Sequence, residues 1–315
     1  MNTSKFLEEP NVSDKLNLNR RSLMLGASGI AAASALGACS RVDEGGDGED
    51  GGGLLADAQD GGTIRVAYAD ENPYAYTADD ESVTGQSVDV HTHLLGELGI
   101  EPGQIEWIFT EWDSLIGGLG STHDMVIAGM YVTPERCANV AFADPDYIMP
   151  DALLVLKDNP GGWTTLNAMA DEGGTIGVMN ATSEQEVADQ LFEEDRINVG
   201  ADLPALILEL KAGRCDAIGL TGANLKLAAE ADGELEVTED FWLVDPESGE
   251  DIIGAGAAVF QPKDTDFRDA VNEKLAELLE DTATWEGLVG KYQFTVEDNH
   301  PDGLTAQDLC GDSYQ

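Results

Sequence analysis

Met125-Val126-Ile127-Ala128-Gly129-Met130-Tyr131-Val132-Thr133-Pro134-Glu135-Arg136-Cys137 is the stretch that decides how this chain is read. Its first four residues have the length and composition of a buried strand, and Gly129 and Pro134 punctuate the turn that follows. Just beyond the strand end, the ring of Tyr131 and the guanidinium of Arg136 stand five residues apart. A ring face attracts a cation and a guanidinium takes a carboxylate, so the pair suits a small ligand carrying both charges. Two more aromatic-plus-acid clusters, Glu71-Asn72-Pro73-Tyr74 and Thr110-Glu111-Trp112, lie upstream at expected strand ends.

Outward from this strand the pattern alternates. Strands are expected over 63–68 and 105–109, with helical spacing over 88–98 and 112–120. After the apolar run Ala152-Leu153-Leu154-Val155-Leu156 a second set follows, with strands over 175–178 and 216–220 and helices over 183–192 and 204–211. Another apolar run covers 255–260, and helical spacing returns over 267–279 and 284–292. Strand and helix in alternation predict an α/β protein with parallel sheets and helices on both faces. Roughly 250 residues beyond Gly62 suit two modest domains, and the apolar runs flanking the middle segment read as crossings between them. Residues 62–151 and 256–315 then form lobe 1 and residues 152–255 lobe 2. A chain that leaves one lobe and returns makes a hinge with a cleft.

The N-terminal 38 residues read as an address. Asn19-Arg20-Arg21-Ser22-Leu23-Met24 is a twin-arginine signal, and Leu36-Gly37-Ala38-Cys39 reads as a lipobox, so cleavage before Cys39 leaves a lipidated cysteine. The apolar stretch between them, Leu25 to Ala38, is 14 residues. That is short of the roughly 20 needed to span a bilayer. Residues 39–61, crowded with Gly, Asp and Glu, read as an acidic tether with too little apolar surface to fold. The mature protein is then expected outside the cytoplasmic membrane, held to it only by lipid.

Sixteen basic residues face 61 acidic ones, a net charge of −45 with pI about 4.1. Such a chain avoids nucleic acid and anionic lipid heads. The surplus suits concentrated salt, where short screening lengths suppress self-repulsion, although an acidic extracellular protein carries the same signature. With Cys39 used for lipid, Cys137 and Cys310 are the candidate disulfide pair and Cys215 a buried apolar residue; the sequence leaves the connectivity open.

His91 and His93 do not make a metal site on a helix, because residues two apart point about 200° around the axis. No Ser/His/Asp set, paired-carboxylate signature or metal spacing is present, although Glu71 could serve as a base if placed suitably; the expectation is of no enzyme, no cofactor and no metal.

The twin-lobed plan, the lipoprotein signal and Thr133-Pro134-Glu135-Arg136 resemble the solute-binding proteins of bacterial ABC importers, which have the type II periplasmic-binding-protein fold, in the group that takes polar amino acids and compatible solutes. Within that group the resemblance is to ectoine and 5-hydroxyectoine binding proteins, carried by Glu71-Asn72-Pro73-Tyr74, by Glu111-Trp112-Asp113-Ser114-Leu115-Ile116, by Gly129 to Cys137 and by the cysteine near the end. It implies a cage of Tyr74, Trp112 and Tyr131 around a delocalised amidinium, with Trp112 where a tyrosine is more usual. Arg136 is then expected to clamp the ligand carboxylate and Glu71 to accept from the amidinium N–H groups.

In Asn180-Ala181-Thr182-Ser183-Glu184, a helix start with Ser183 as cap and Glu186 at its third position offers N–H groups and the hydroxyls of Thr182 and Ser183 to that carboxylate. Amino-acid binders usually carry an acid where Gly213-Arg214-Cys215-Asp216 leads to Thr221, and its replacement counts against ordinary α-amino acids. The expected partners are a small zwitterionic solute and the permease of an ABC importer, with the binder a monomer. The alternatives are a binder of a polar amino acid or betaine, a cyclic-acid dehydratase-like enzyme, and a sensor subunit on the same fold.

Overall fold

The computed structural model describes residues 53–315. The twin-arginine stretch, the lipobox with Cys39, and the tether up to residue 52 lie outside these residues. The expected tether ends earlier than its composition suggests. Leu54–Gln59 is a helix with Ala58 buried, and Leu54 and Leu55 pack on the main core. An average over 39–61 dilutes the short apolar face that this helix buries. Among the described residues no helix is long and apolar enough to cross a membrane.

Two five-stranded sheets organise the rest. In the first, Ile64–Tyr68 lies parallel between Ile105–Phe109 and Met125–Val126, and Val259–Phe260 then runs antiparallel to both Met125–Val126 and Ala141–Phe142. In the second, Ile176–Met179 lies parallel between Ile197–Gly200 and Ala217–Thr221, and Asp151–Leu156 runs antiparallel to Ala217–Thr221 and to Leu235–Val237. The sheets are therefore mixed, not purely parallel as the alternation predicts. The antiparallel strands are those in which the chain has just crossed from the other lobe, so no helical crossover returns their direction.

The crossings lie side by side: Tyr147–Ile148 pairs antiparallel with Ala255–Gly256. This gives the two-lobed plan with a two-strand connection. The expected helix over 112–120 is a single 3₁₀ turn, Trp112–Ser114, followed by Leu115–Gly118. Gly117, Gly118 and Gly120 crowd this segment and cost helix propensity, which ends it early. Cys137 and Cys310 are joined in a disulfide that closes 173 residues, and Cys215 is free and buried.

Candidate functional site

Ligands in open α/β sheets bind beyond the carboxyl ends of the strands. Here the loops after Ile64–Tyr68, Ile105–Phe109 and Met125–Val126 face those after Ile176–Met179 and Ala217–Thr221 across one cavity. Glu71, Tyr74, Trp112, Tyr131 and Arg136 line it from the first lobe, and Thr182, Ser183 and Thr221 from the second. All eight residues singled out in the sequence thus meet at one place.

Arg136 is set by its own short helix. Thr133 caps Pro134–Cys137 by accepting from the Arg136 N–H at 3.3 Å, and the disulfide at Cys137 pins the turn from behind. The side chain is buried, donates from Nη1 to the Tyr131 carbonyl at 2.8 Å and from Nη2 to the Ala181 carbonyl at 2.9 Å, and has no carboxylate within 4.0 Å among the described residues. It is not an ion-pair partner of Glu135. Burial lowers its pKa against the pull of Glu186, Glu184 and Glu135. A buried guanidinium with two of five donors committed has donors left that suit a carboxylate.

The aromatic walls are fixed differently. Tyr74 stacks on Tyr147 at 5.0 Å between centroids and 25° between planes, and its hydroxyl donates across the cleft to Thr221 Oγ1 at 2.9 Å. Tyr131 donates to the Met149 carbonyl at 2.7 Å, in the first crossing segment. Gly254 and Gly256 in the returning segment let these rings approach the backbone: a Cβ would come within 2.6 Å of the Tyr131 ring at the first and 2.1 Å of the Tyr147 ring at the second. Trp112 is half-buried, donates from Nε1 to the Ala181 carbonyl at 3.2 Å, and has the Arg136 guanidinium 6.0 Å from its ring centre.

Thr182, not Ser183, caps the second-lobe helix Ser183–Leu191, accepting from the Gln185 N–H at 3.3 Å. The cap moves because Ala181 takes a left-handed conformation, φ 60°, and the Gln185 side chain accepts the Ala181 N–H at 2.7 Å. That turn aims the Ala181 carbonyl at Trp112 and Arg136.

Four residues escaped the sequence reading. Tyr147 backs the Tyr74 ring. Asn224 donates to the Asn72 carbonyl at 2.7 Å and accepts from Thr221, continuing the cross-lobe chain that starts at Tyr74. Glu184 lines the cavity, and Asp151 pairs in register with Thr221 behind it. The missing acid at Thr221 therefore does not leave the second lobe without a carboxylate, and it carries no weight against an ammonium ligand. Glu71 completes the set at the start of a turn in which the Tyr74 and Ala75 N–H groups bond its carbonyl. Burial, and then the negative field of Glu184, Asp70 and Asp202, pushes its carboxyl up to about 7.

Residues 64–295 match the family described as bacterial extracellular solute-binding proteins, family 3. The chain belongs to this family. This solute-binding protein is 31% identical over 255 residues to a "probable amino-acid ABC transporter periplasmic-binding protein" of Sinorhizobium fredii, covering 79% of this chain and 83% of that one. It is 28% identical over 268 residues to the L-cystine-binding protein of Escherichia coli, covering 84% and 92%. A crystal structure of EhuB in complex with hydroxyectoine superposes with a TM-score of 0.71 at 27% identity, over 82% of this chain and 98% of that one.

Proposed function

We propose that this protein is an extracytoplasmic receptor for ectoine or 5-hydroxyectoine, exported by the twin-arginine route, anchored through Cys39, and delivering its ligand as a monomer to an ABC permease. One observation carries the reading. A buried guanidinium without a carboxylate partner among the described residues shares an aromatic-walled cavity with a carboxylate drawn from the same lobe. That is the complement of a compact zwitterion. Arg136 and the helix start at Thr182 and Ser183 receive the ligand carboxylate, while Tyr74, Trp112 and Tyr131 present ring faces to a weakly hydrated amidinium and Glu71 accepts its N–H groups.

Closure of the lobes around the ligand removes these contacts from water, where each is worth more. The hydroxyectoine-bound neighbour supports the solute class. The strong acidic surplus supports a role under salt stress, where such solutes are used. A thermal-shift panel of ectoine, hydroxyectoine, glycine betaine, proline, arginine and cystine tests the reading. Ectoine or hydroxyectoine is expected to give the largest rise in melting temperature. A large rise with arginine or cystine and none with either ectoine assigns the cavity to an amino acid instead.

A further inference from the structure

Glu184 and Asp151 are buried at 2% and 1% exposure, and three of their four carboxylate oxygens, Glu184 Oε1 and both Asp151 oxygens, find no hydrogen-bond donor among the described residues. Asp151 is held rigidly, exchanging backbone hydrogen bonds with Phe241 at 2.9 and 2.8 Å and facing Thr221 across the ladder. It lies within hydrogen-bonding reach of Glu184, and burial first, then the neighbouring Glu184, drives its pKa far up. Asp151 held protonated in this way is a donor for the side chain beside it. Glu184 is the member of the pair that lines the cavity, on the wall opposite the first lobe and its Glu71. An unpartnered carboxylate oxygen buried beside a ligand cavity costs stability unless a ligand donor meets it.

Resting on the reading above, we infer that Glu184, positioned by Asp151, selects ligands whose cationic group still carries N–H donors: one donor meets Glu71 from the first lobe and a second meets Glu184 from the other. An amidinium has two such N–H groups on opposite sides. A fully alkylated ammonium has none, and satisfies neither wall although it suits the rings equally well. The requirement for a donor on each wall ties lobe closure to the ligand's N–H count.

Ectoine and glycine betaine are the probes, titrated into the full chain and into Glu184→Gln and Glu184→Ala. The wild type should favour ectoine by about 30-fold or more, as expected for a desolvated charge-assisted contact. Both variants should lose most of that ratio by weakening ectoine while glycine betaine changes less than about threefold. Equal losses for both probes, an unchanged ectoine affinity, or a wild type that takes glycine betaine as well as ectoine overturns the inference. If the wild type ignores ectoine but binds arginine in a Glu184-dependent way, the solute assignment fails and the N–H selector stands. A wild type that binds none of the three probes sinks both.

Discussion

Replacing Arg136 with methionine keeps most of the buried stem and removes the charge. In the ligand complex this strands a carboxylate in a dry cavity, and truncating one partner of such a pair costs about 2 to 5 kcal/mol. A central value of about 3 kcal/mol corresponds to a loss of more than a hundredfold in affinity. The stability effect is smaller and composite. The Tyr131 and Ala181 carbonyls lose charged donors at 2.8 and 2.9 Å, although Ala181 retains the Trp112 indole at 3.2 Å. Against that, a cation whose burial already depresses its pKa no longer has to be desolvated. The net is about 1 to 2 kcal/mol, or a fall of roughly 2 to 8 °C in the melting temperature of the ligand-free protein. Arg136→Lys keeps the charge but not the fork, so it should recover only part of the affinity. Calorimetric titration with ectoine and a melting curve read both effects. An Arg136→Met protein that binds ectoine within threefold of wild type, or that no longer folds, refutes the assignment of Arg136 as carboxylate receptor.

Ectoine affinity should rise with pH, because Glu71 holds a proton below about 7 that a cationic ligand must displace. The slope should approach tenfold per pH unit between about 5.5 and 7, and a flat profile contradicts it. The same raised pKa means that the folded state keeps a proton the unfolded chain loses above 4.5, so ligand-free stability should fall as pH climbs from 4.5 to about 7. Glu71→Gln should flatten that fall, as read by melting curves across the range. Trp112→Ala should weaken ectoine by about 1 to 2 kcal/mol. Trp112→Phe should restore the ring face but not the indole bond to Ala181, so recovery of full wild-type affinity counts against that bond. Peptide mapping without reduction should recover Cys137 linked to Cys310, and Cys137→Ser with Cys310→Ser should lose several kcal/mol for a loop this long. A double variant that melts with the wild type contradicts a stabilising role for the bridge.

The half of the site that was legible in the sequence is the half built by local chain. Tyr131 and Arg136 follow a short apolar strand through a Gly and a Pro, and Glu71 and Tyr74 lie within one turn, so spacing alone brings each pair to a strand end. Asp151 is different. After Pro150 it reads as a polar residue opening a strand, and only its register with Thr221 places it behind the cavity. Glu184 reads as a first-turn helix acid, favoured there by the dipole whether or not a ligand exists. Nothing in that position tells that the side chain is buried beside Asp151 and lines the cavity. Asn224 and Tyr147 carry no sequence signal of function, since one is a helix polar residue and the other a strand aromatic. The cap shifted from Ser183 to Thr182 because Ala181 adopts a left-handed turn that propensity reserves for glycine or asparagine. The mixed sheets escaped for a topological reason: alternation reports which elements follow one another, not which way a strand runs after crossing between lobes.

The central claim is that the cavity holds a zwitterion of the ectoine type, and calorimetric titration of the protein in molar salt tests it most directly. A single site per chain with a dissociation constant in the micromolar range or tighter, about −8 kcal/mol, is predicted for ectoine or hydroxyectoine. No heat with either, alongside tight binding of arginine or cystine, contradicts it.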